Sequence, residues 1–166
     1  MPEKNDGSIL VPFPLESSLS GVMRALRPDQ RLWYRRSFEL GAANGDRILL
    51  HFCAVDHACE VFVDGKSVGT HTGGYDPFTF DITMALRGGR AHALLVAVRD
   101  PSDAGPQPRG KQVKEPGGIW YTACSGIWQT VWIEGVPDTY VSDITVDGSR
   151  TTGKGTVTAT AQGNAR

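Results

Sequence analysis

Short runs of β-branched and aromatic residues, cut off again and again by glycine or proline, constrain this chain more than any other feature. Twenty glycines and ten prolines punctuate its 166 residues. No stretch carries the apolar 3.6-residue spacing of a long amphipathic helix, so the pattern predicts many short strands joined by turns, an antiparallel β-sandwich or jelly roll. Strands are predicted at Leu32–Phe38, Arg47–Val55, Ala58–Val63, Ser67–His71, Ala91–Arg99, Trp128–Glu134 and Tyr140–Val146. Within the second, Ile48, Leu50, Phe52 and Ala54 alternate with Leu49, His51, Cys53 and Val55. Side chains alternate across a strand, so both faces of that strand are expected to be largely buried.

Local signals place the turns. Asp64-Gly65 lies between two strand candidates, the usual mark of a type I′ hairpin. Asp81 to Leu86 has the makings of one helical turn capped by Asp81 and ended by Gly88-Gly89. From Asp100 to Ser125 four prolines and four glycines rule out a central strand. Loops beyond about 15 residues are uncommon in compact domains and tend to be functional, so this excursion is where ligand contact is expected. After Pro137 a new pattern starts, Tyr140–Val146 and then Thr156–Ala161. Two strands without a third are marginal alone, so residues 138–166 either complete the sandwich or open a second β domain.

Several classes of partner drop out. The formal net charge is -1, with no basic stripe, which leaves no electrostatic ground for nucleic acid or anionic lipid. No apolar run approaches the ~20 residues that span a bilayer. Cys53, Cys59 and Cys124 are an odd set without CxxC spacing, and His51, His57, His71 and His92 lack ligand spacing. Free, mostly buried thiols are expected, with no metal and no cofactor. The start of the chain carries no apolar leader core, and localisation is left open.

An ordered series of segments then resembles one family. These are Val11-Pro-Phe-Pro-Leu-Glu-Ser-Ser-Leu-Ser-Gly-Val22, Leu32-Trp-Tyr-Arg-Arg-Ser-Phe38, His51-Phe52, Ala54-Val55-Asp56, Val61-Phe-Val-Asp-Gly65, Val68-Gly-Thr-His71, Gly73-Gly-Tyr-Asp-Pro-Phe78, Phe80-Asp-Ile-Thr83 and Ser125-Gly-Ile-Trp-Gln-Thr-Val-Trp-Ile-Glu134. Together they resemble the N-terminal sugar-binding domain of the family 2 glycoside hydrolases, β-galactosidase-like and β-glucuronidase-like. The resemblance implies a galactose-binding-domain-like jelly roll over residues 1–137. It also implies that residues 138–166 begin an immunoglobulin-like domain, and that carbohydrate and the catalytic and immunoglobulin-like domains of a parent chain are the partners. Asp64 stands where the family usually has Asn.

Hydrolysis of a glycosidic bond needs two carboxylates on a rigid frame. In the family the acid/base follows Asn in an Asn-Glu pair; here Asn5, Asn44 and Asn164 are not followed by Glu. A pair drawn from Asp100, Asp103 and Glu115 would sit on the excursion, where geometry is poorly held. The chain alone is therefore not expected to be an enzyme, although its parent is expected to be a hydrolase. Binding remains. Aromatic faces stack on sugar C–H patches and planar polar groups bond pairs of hydroxyls. Trp120, Tyr121, Arg109, Lys111 and Gln112 on the excursion, His71 on its turn, and Trp132, which alternates with Trp128 along the closing strand, are the candidate carbohydrate-binding residues. Trp33, Phe52, Phe62, Phe78, Phe80 and Trp128 are expected to pack in the core or an interface, and Tyr75 in its turn. Two other roles compete: an autonomous carbohydrate-binding module, and a purely structural or oligomerisation domain.

Overall fold

The computed structural model describes residues 4–41, 45–89 and 91–163. Its strands are β1 (Leu32–Glu39), β2 (Arg47–Phe52), β3 (Val55–Asp56), β4 (Ala58–Val63), β5 (Lys66–Thr72), β6 (Phe78–Asp81), β7 (Ala91–Arg99), β8 (Gln112–Val113), β9 (Tyr121–Thr122), β10 (Gly126–Ile127), β11 (Val131–Val136), β12 (Tyr140–Gly148) and β13 (Gly155–Gln162). One sheet runs β1-β7-β4-β5 and a second β11-β2-β6, all antiparallel. The only helical element assigned among the described residues is a 3-10 turn at Ser18–Ser20.

The core lies between these sheets. Tyr34 of β1, Val96 and Val98 of β7, and Cys59, Val61 and Val63 of β4 meet Ile48, Leu50 and Phe52 of β2, with Ile82, Ala85 and Ile127 closing the ends. Every second residue of each strand supplies this layer, as pleating requires. Phe52 is fully buried. The expectation that β2 is covered on both faces holds at Leu49, 4% exposed on the side away from the core, while His51 is only partly buried.

Two local predictions are met closely. Val63 pairs with Lys66 across a two-residue turn in which Asp64 has φ 50° and Gly65 φ 81°, the type I′ geometry. Asp64 does more than turn the chain: its carboxylate accepts from His92 Nδ1 (2.8 Å), Ala93 N (2.9 Å) and Arg87 N (3.0 Å). Those bonds, His92 foremost, lower its pKa to about 2. A single amide oxygen at this position has fewer lone pairs for the same three donors, which gives the carboxylate a physical reason to stand here. At the other turn, Ala85 N and Leu86 N donate to Ile82 O, and Asp81 Oδ1 accepts from Thr83 N (3.0 Å).

Other expectations are corrected. The strand predicted over Arg47–Val55 stops at Phe52, with Cys53 N still donating to Thr130 O opposite it, and the chain resumes as β3, which pairs with β10 instead of β11. The closing strand begins at Val131, so Trp128 and Trp132 do not share one strand face. Trp128 instead turns inward, its Nε1 donating to Gly74 O at 2.8 Å. Trp33 and Phe62 are not in the inter-sheet core; they stack on each other, centroids 6.2 Å apart, on the outer face of the four-stranded sheet. No strand is predicted over residues 78–81, yet β6 forms there and pairs with β2 from Phe78↔Phe52 to Asp81↔Leu49.

Candidate functional site

The opening segment and the end of the excursion are sewn together at one end of the sandwich. Leu15 N donates to Ser125 O, and Ser125 N donates to Glu16 Oε2 at 2.9 Å. Ser125 Oγ donates to Asp100 Oδ2 at 2.6 Å, while Asp100 Oδ1 accepts from Ser102 N at 2.7 Å, closing an Asx turn where β7 leaves the sheet. Asp100 is 2% exposed and Ser125 fully buried, so the excursion departs from and returns to a hydrogen-bonded node, not open solvent.

Asp56, 4% exposed, sits beside that node. Its carboxyl oxygen Oδ2 accepts from Gln112 Nε2 at 3.3 Å, and the same amide nitrogen donates to the Tyr75 hydroxyl at 3.2 Å. The Gln112 carbonyl oxygen accepts from Cys124 N. One side chain thus ties the middle of the excursion to its own exit, to β3 and to the Gly-Gly-Tyr turn. Burial first, then the neighbouring Asp100 and more weakly Glu16, push the Asp56 pKa up to about 7 against the opposing Gln112 bond. Gly74 is required here: a Cβ on it would come within 2.6 Å of the Asp56 carboxyl. Gly126, at φ 89° beneath the Tyr34 hydroxyl, has no room for a side chain either, and Tyr34 in turn accepts from Ile127 N at 3.1 Å.

Above this node the excursion is exposed. β8 and β9 pair in parallel, Gln112 with Tyr121, and Tyr121 N donates to Lys111 O at 2.9 Å. Ile119, Trp120 and Tyr121 form its tip, 66%, 43% and 66% exposed. Tyr75, edge-on to Trp128, is 48% exposed near Gly110. Exposed aromatics on a rigid, hydrogen-bonded base are what stacking on a sugar ring needs.

The predicted site residues separate into three groups. Trp120, Tyr121 and Lys111 come together at the rim. Gln112 belongs to it as an internal tie with its amide already occupied. Arg109 turns back on its own loop, Nη1 to Gly105 O at 3.5 Å, with Nε buried. His71 and Trp132 lie elsewhere. His71 stacks on Phe78 at 4.0 Å and bonds Gly73 O, bridging the edge between β5 and β6. Trp132 stacks on His51 at 4.6 Å on the outer face of the three-stranded sheet, where His51 also meets Glu134 at 3.2 Å. Sequence reasoning missed Tyr75 and Asp56. The Gly-Gly-Tyr turn was the signal for the first, and the Ala54-Val55-Asp56 segment of the family pattern for the second.

Two of the three carboxylates weighed for catalysis are otherwise engaged: Asp100 is enclosed, and Asp103 accepts from Lys114 N (3.1 Å) and pairs with its Nζ (3.2 Å), while Glu115 is exposed. All three cysteines are free, and burial pushes the Cys59 and Cys124 thiols up to about 12, far from the thiolate range.

The fold is an all-β sandwich with an exposed aromatic tip over buried polar ties. The particular assignment follows from comparison: the family model described as "Glycosyl hydrolases family 2, sugar binding domain" matches residues 13–137, and the chain belongs to that family. A β-galactosidase of Thermoanaerobacter pseudethanolicus is 33% identical over 114 residues, covering 68% of this chain and 14% of that protein. The β-galactosidase BoGH2A of Bacteroides ovatus is 32% identical over 123 residues, 69% of this chain and 13% of its own. The chain therefore spans only a small fraction of the relatives it matches. A solved structure, β-glucuronidase 3 of Bacteroides uniformis, superposes with TM-score 0.69 at 19% identity, over 93% of this chain and 21% of that one, and shares the fold.

Proposed function

We propose that this chain is the non-catalytic sugar-facing domain of a family 2 glycoside hydrolase, and that its excursion forms one wall of the parent's substrate pocket. The observation that carries this reading is the exposed Ile119-Trp120-Tyr121 tip anchored through Gln112 to buried Asp56. Trp120 and Tyr121 offer stacking faces, Lys111 and Tyr75 offer donors beside them, and Arg109 and Gln112 hold the loop that presents them. Catalysis then belongs to another domain of the parent.

The proposal includes the tail. Across β12 and β13, Val141, Ile144 and Val146 stand opposite Ala161, Ala159 and Val157, while Asp143, Thr145 and Asp147 stand opposite Thr160, Thr158 and Thr156. A register shift between Val141 and Asp143 keeps the apolar set on one face. The apolar face is exposed, 56% at Val141 to 70% at Val146, as the first hairpin of an immunoglobulin-like sandwich would be before its other strands cover it.

A second reading, an autonomous carbohydrate-binding module, is favoured by Trp132, whose 43% exposed ring is backed by His51. Calorimetric titration of the chain with β-galactosides and β-glucuronides separates the two. Binding at millimolar Kd or weaker, together with a several-fold rise in KM when Trp120→Ala and Tyr121→Ala are placed in the parent enzyme, supports the pocket wall. Micromolar binding that survives both substitutions and is lost with Trp132→Ala supports the module.

A further inference from the structure

The outer face of the four-stranded sheet carries a second surface that the rim does not explain. Register places its side chains in rows. Arg99 of β7 pairs with Ala58 of β4, which pairs with Thr72 of β5, and Arg31 precedes β1 at the same level. In the next row Trp33 pairs with Ala97, Ala97 with Glu60, and Glu60 with Thr70. In the row beyond, Phe62 pairs with Leu95. The small side chains of Ala58 and Ala97 leave a trough of about 260 Å³ bounded by Arg31, Arg99, Glu60, Thr70 and Thr72. Its size falls just below the ~300 Å³ at which small-molecule clefts begin, so it suits one ring-sized group with the rest of a ligand lying outside.

Charge decides what that ring carries. Arg31 and Arg99 are exposed, and neither guanidinium has a hydrogen bond or ion pair among the described residues. Glu60, the one carboxylate lining the trough, accepts from Ser67 Oγ at 3.1 Å and makes no ion pair with either arginine; two cations against one carboxylate still leave the hollow net positive. Two forked guanidiniums over one hollow are built for a carboxylate, which each can bind through paired N–H groups. Beside them Trp33 is held by its stack on Phe62, a ring face of the kind that packs against sugar C–H groups. Thr70 and Thr72 add hydroxyls on the opposite wall.

From this juxtaposition we propose that the outer face of the β1-β7-β4-β5 sheet binds an acidic saccharide, a uronate-bearing chain whose carboxylate is held by Arg31 and Arg99 and whose ring lies along Trp33. The site is independent of the excursion and goes beyond the pocket-wall reading.

The test uses the 166-residue chain with three probes: a uronate oligosaccharide, a neutral oligosaccharide of the same linkage, and inorganic sulfate. The uronate oligomer is expected to bind with an affinity that falls as salt rises, at least ~10-fold tighter than the neutral oligomer. A lost charge-assisted pair costs about that factor or more, so Arg31→Ala and Arg99→Ala should each weaken binding ~10-fold and Trp33→Ala should weaken it too. Both arginines are exposed, so circular dichroism should show the variants folded. Ile144→Ala, on the exposed face of the C-terminal hairpin, should bind the uronate unchanged. Equal binding of charged and neutral oligomers, equal competition by sulfate, or wild-type affinity in the arginine variants would overturn the proposal. Loss with Trp120→Ala but not with Arg31→Ala would assign the ligand to the rim and sink the trough while leaving the pocket wall standing.

Discussion

β2 with β11, and β12 with β13, are both antiparallel pairs with alternating apolar residues, and they end in opposite environments. Ile48, Leu50 and Phe52 of β2 are 5%, 1% and 0% exposed, whereas Ile144, Val146 and Val157 of the C-terminal hairpin are 61%, 70% and 68% exposed. Pairing is extensive in both, unbroken along β2 and β11 and interrupted once, between Val141 and Asp143, in the hairpin. What differs is the second layer: the four-stranded sheet covers β2, and among the described residues no second sheet covers β12 and β13. Pairing is local and sequence-driven, but free energy comes from removing apolar surface from water, which takes a partner layer.

The largest test of this contrast is a matched truncation. Phe52→Ala should cost about 3–5 kcal/mol in urea unfolding, from lost transfer energy plus a cavity, whereas Ile144→Ala should stay within about 0.5 kcal/mol. Similar costs at the two sites would break the comparison. Next in size is Asp64→Asn. It keeps a residue tolerant of positive φ but weakens a carboxylate that three donors share, and should cost about 1–2 kcal/mol at pH 7. The Asp64 pKa is lowered to about 2, so its contribution is present above the ordinary carboxylate range and is lost as pH falls from about 4 through about 2. The gap between Asp64→Asn and the parent sequence should close over that window.

Asp56 runs the other way. Its pKa is raised to about 7, so the folded chain holds a proton that the unfolded chain releases near pH 4, and stability falls as pH rises from about 4 to about 7. Asp56→Asn should flatten that fall and end up more stable than the parent sequence at pH 8, read by thermal melts across pH. If the slope persists, Asp56 is not its source. The smallest effect is expected from ending the chain at Pro137. Melting temperature should move by no more than about 2 °C, since under 1 kcal/mol is at stake, while binding of an apolar dye should drop. Both pH slopes should survive that cut, because Asp64 and Asp56 lie in the sandwich.

Much of this architecture was readable in advance. The Asp64-Gly65 turn, the Asp81-capped turn, the placement of β1, β4, β5 and β7, and the excursion between Asp100 and Ser125 all follow from local rules of φ, capping and alternation. The site was legible only in part. Trp120 and Tyr121 could be read because a proline- and glycine-rich loop must lie at the surface. That Gln112 points inward to Asp56, or that Arg109 folds onto Gly105, depends on the path of the loop in space and on partners 56 and 4 residues away in sequence.

Alternation along each strand told which residues share a face; it carried no sign saying which face meets the other sheet. That is why the order of residues left Trp33 and Phe62 open to either core or interface, with the structure stacking them half-buried on the outer face, and why the apolar stripe of β12 and β13 reads like a core strand yet lies open. Turns and strands were set by short-range sterics within a few residues, which the amino-acid order contains. Burial, the displaced pKa of Asp56 and the free guanidiniums of Arg31 and Arg99 were decided only when distant strands came together, because desolvation and charge depend on everything within reach in space.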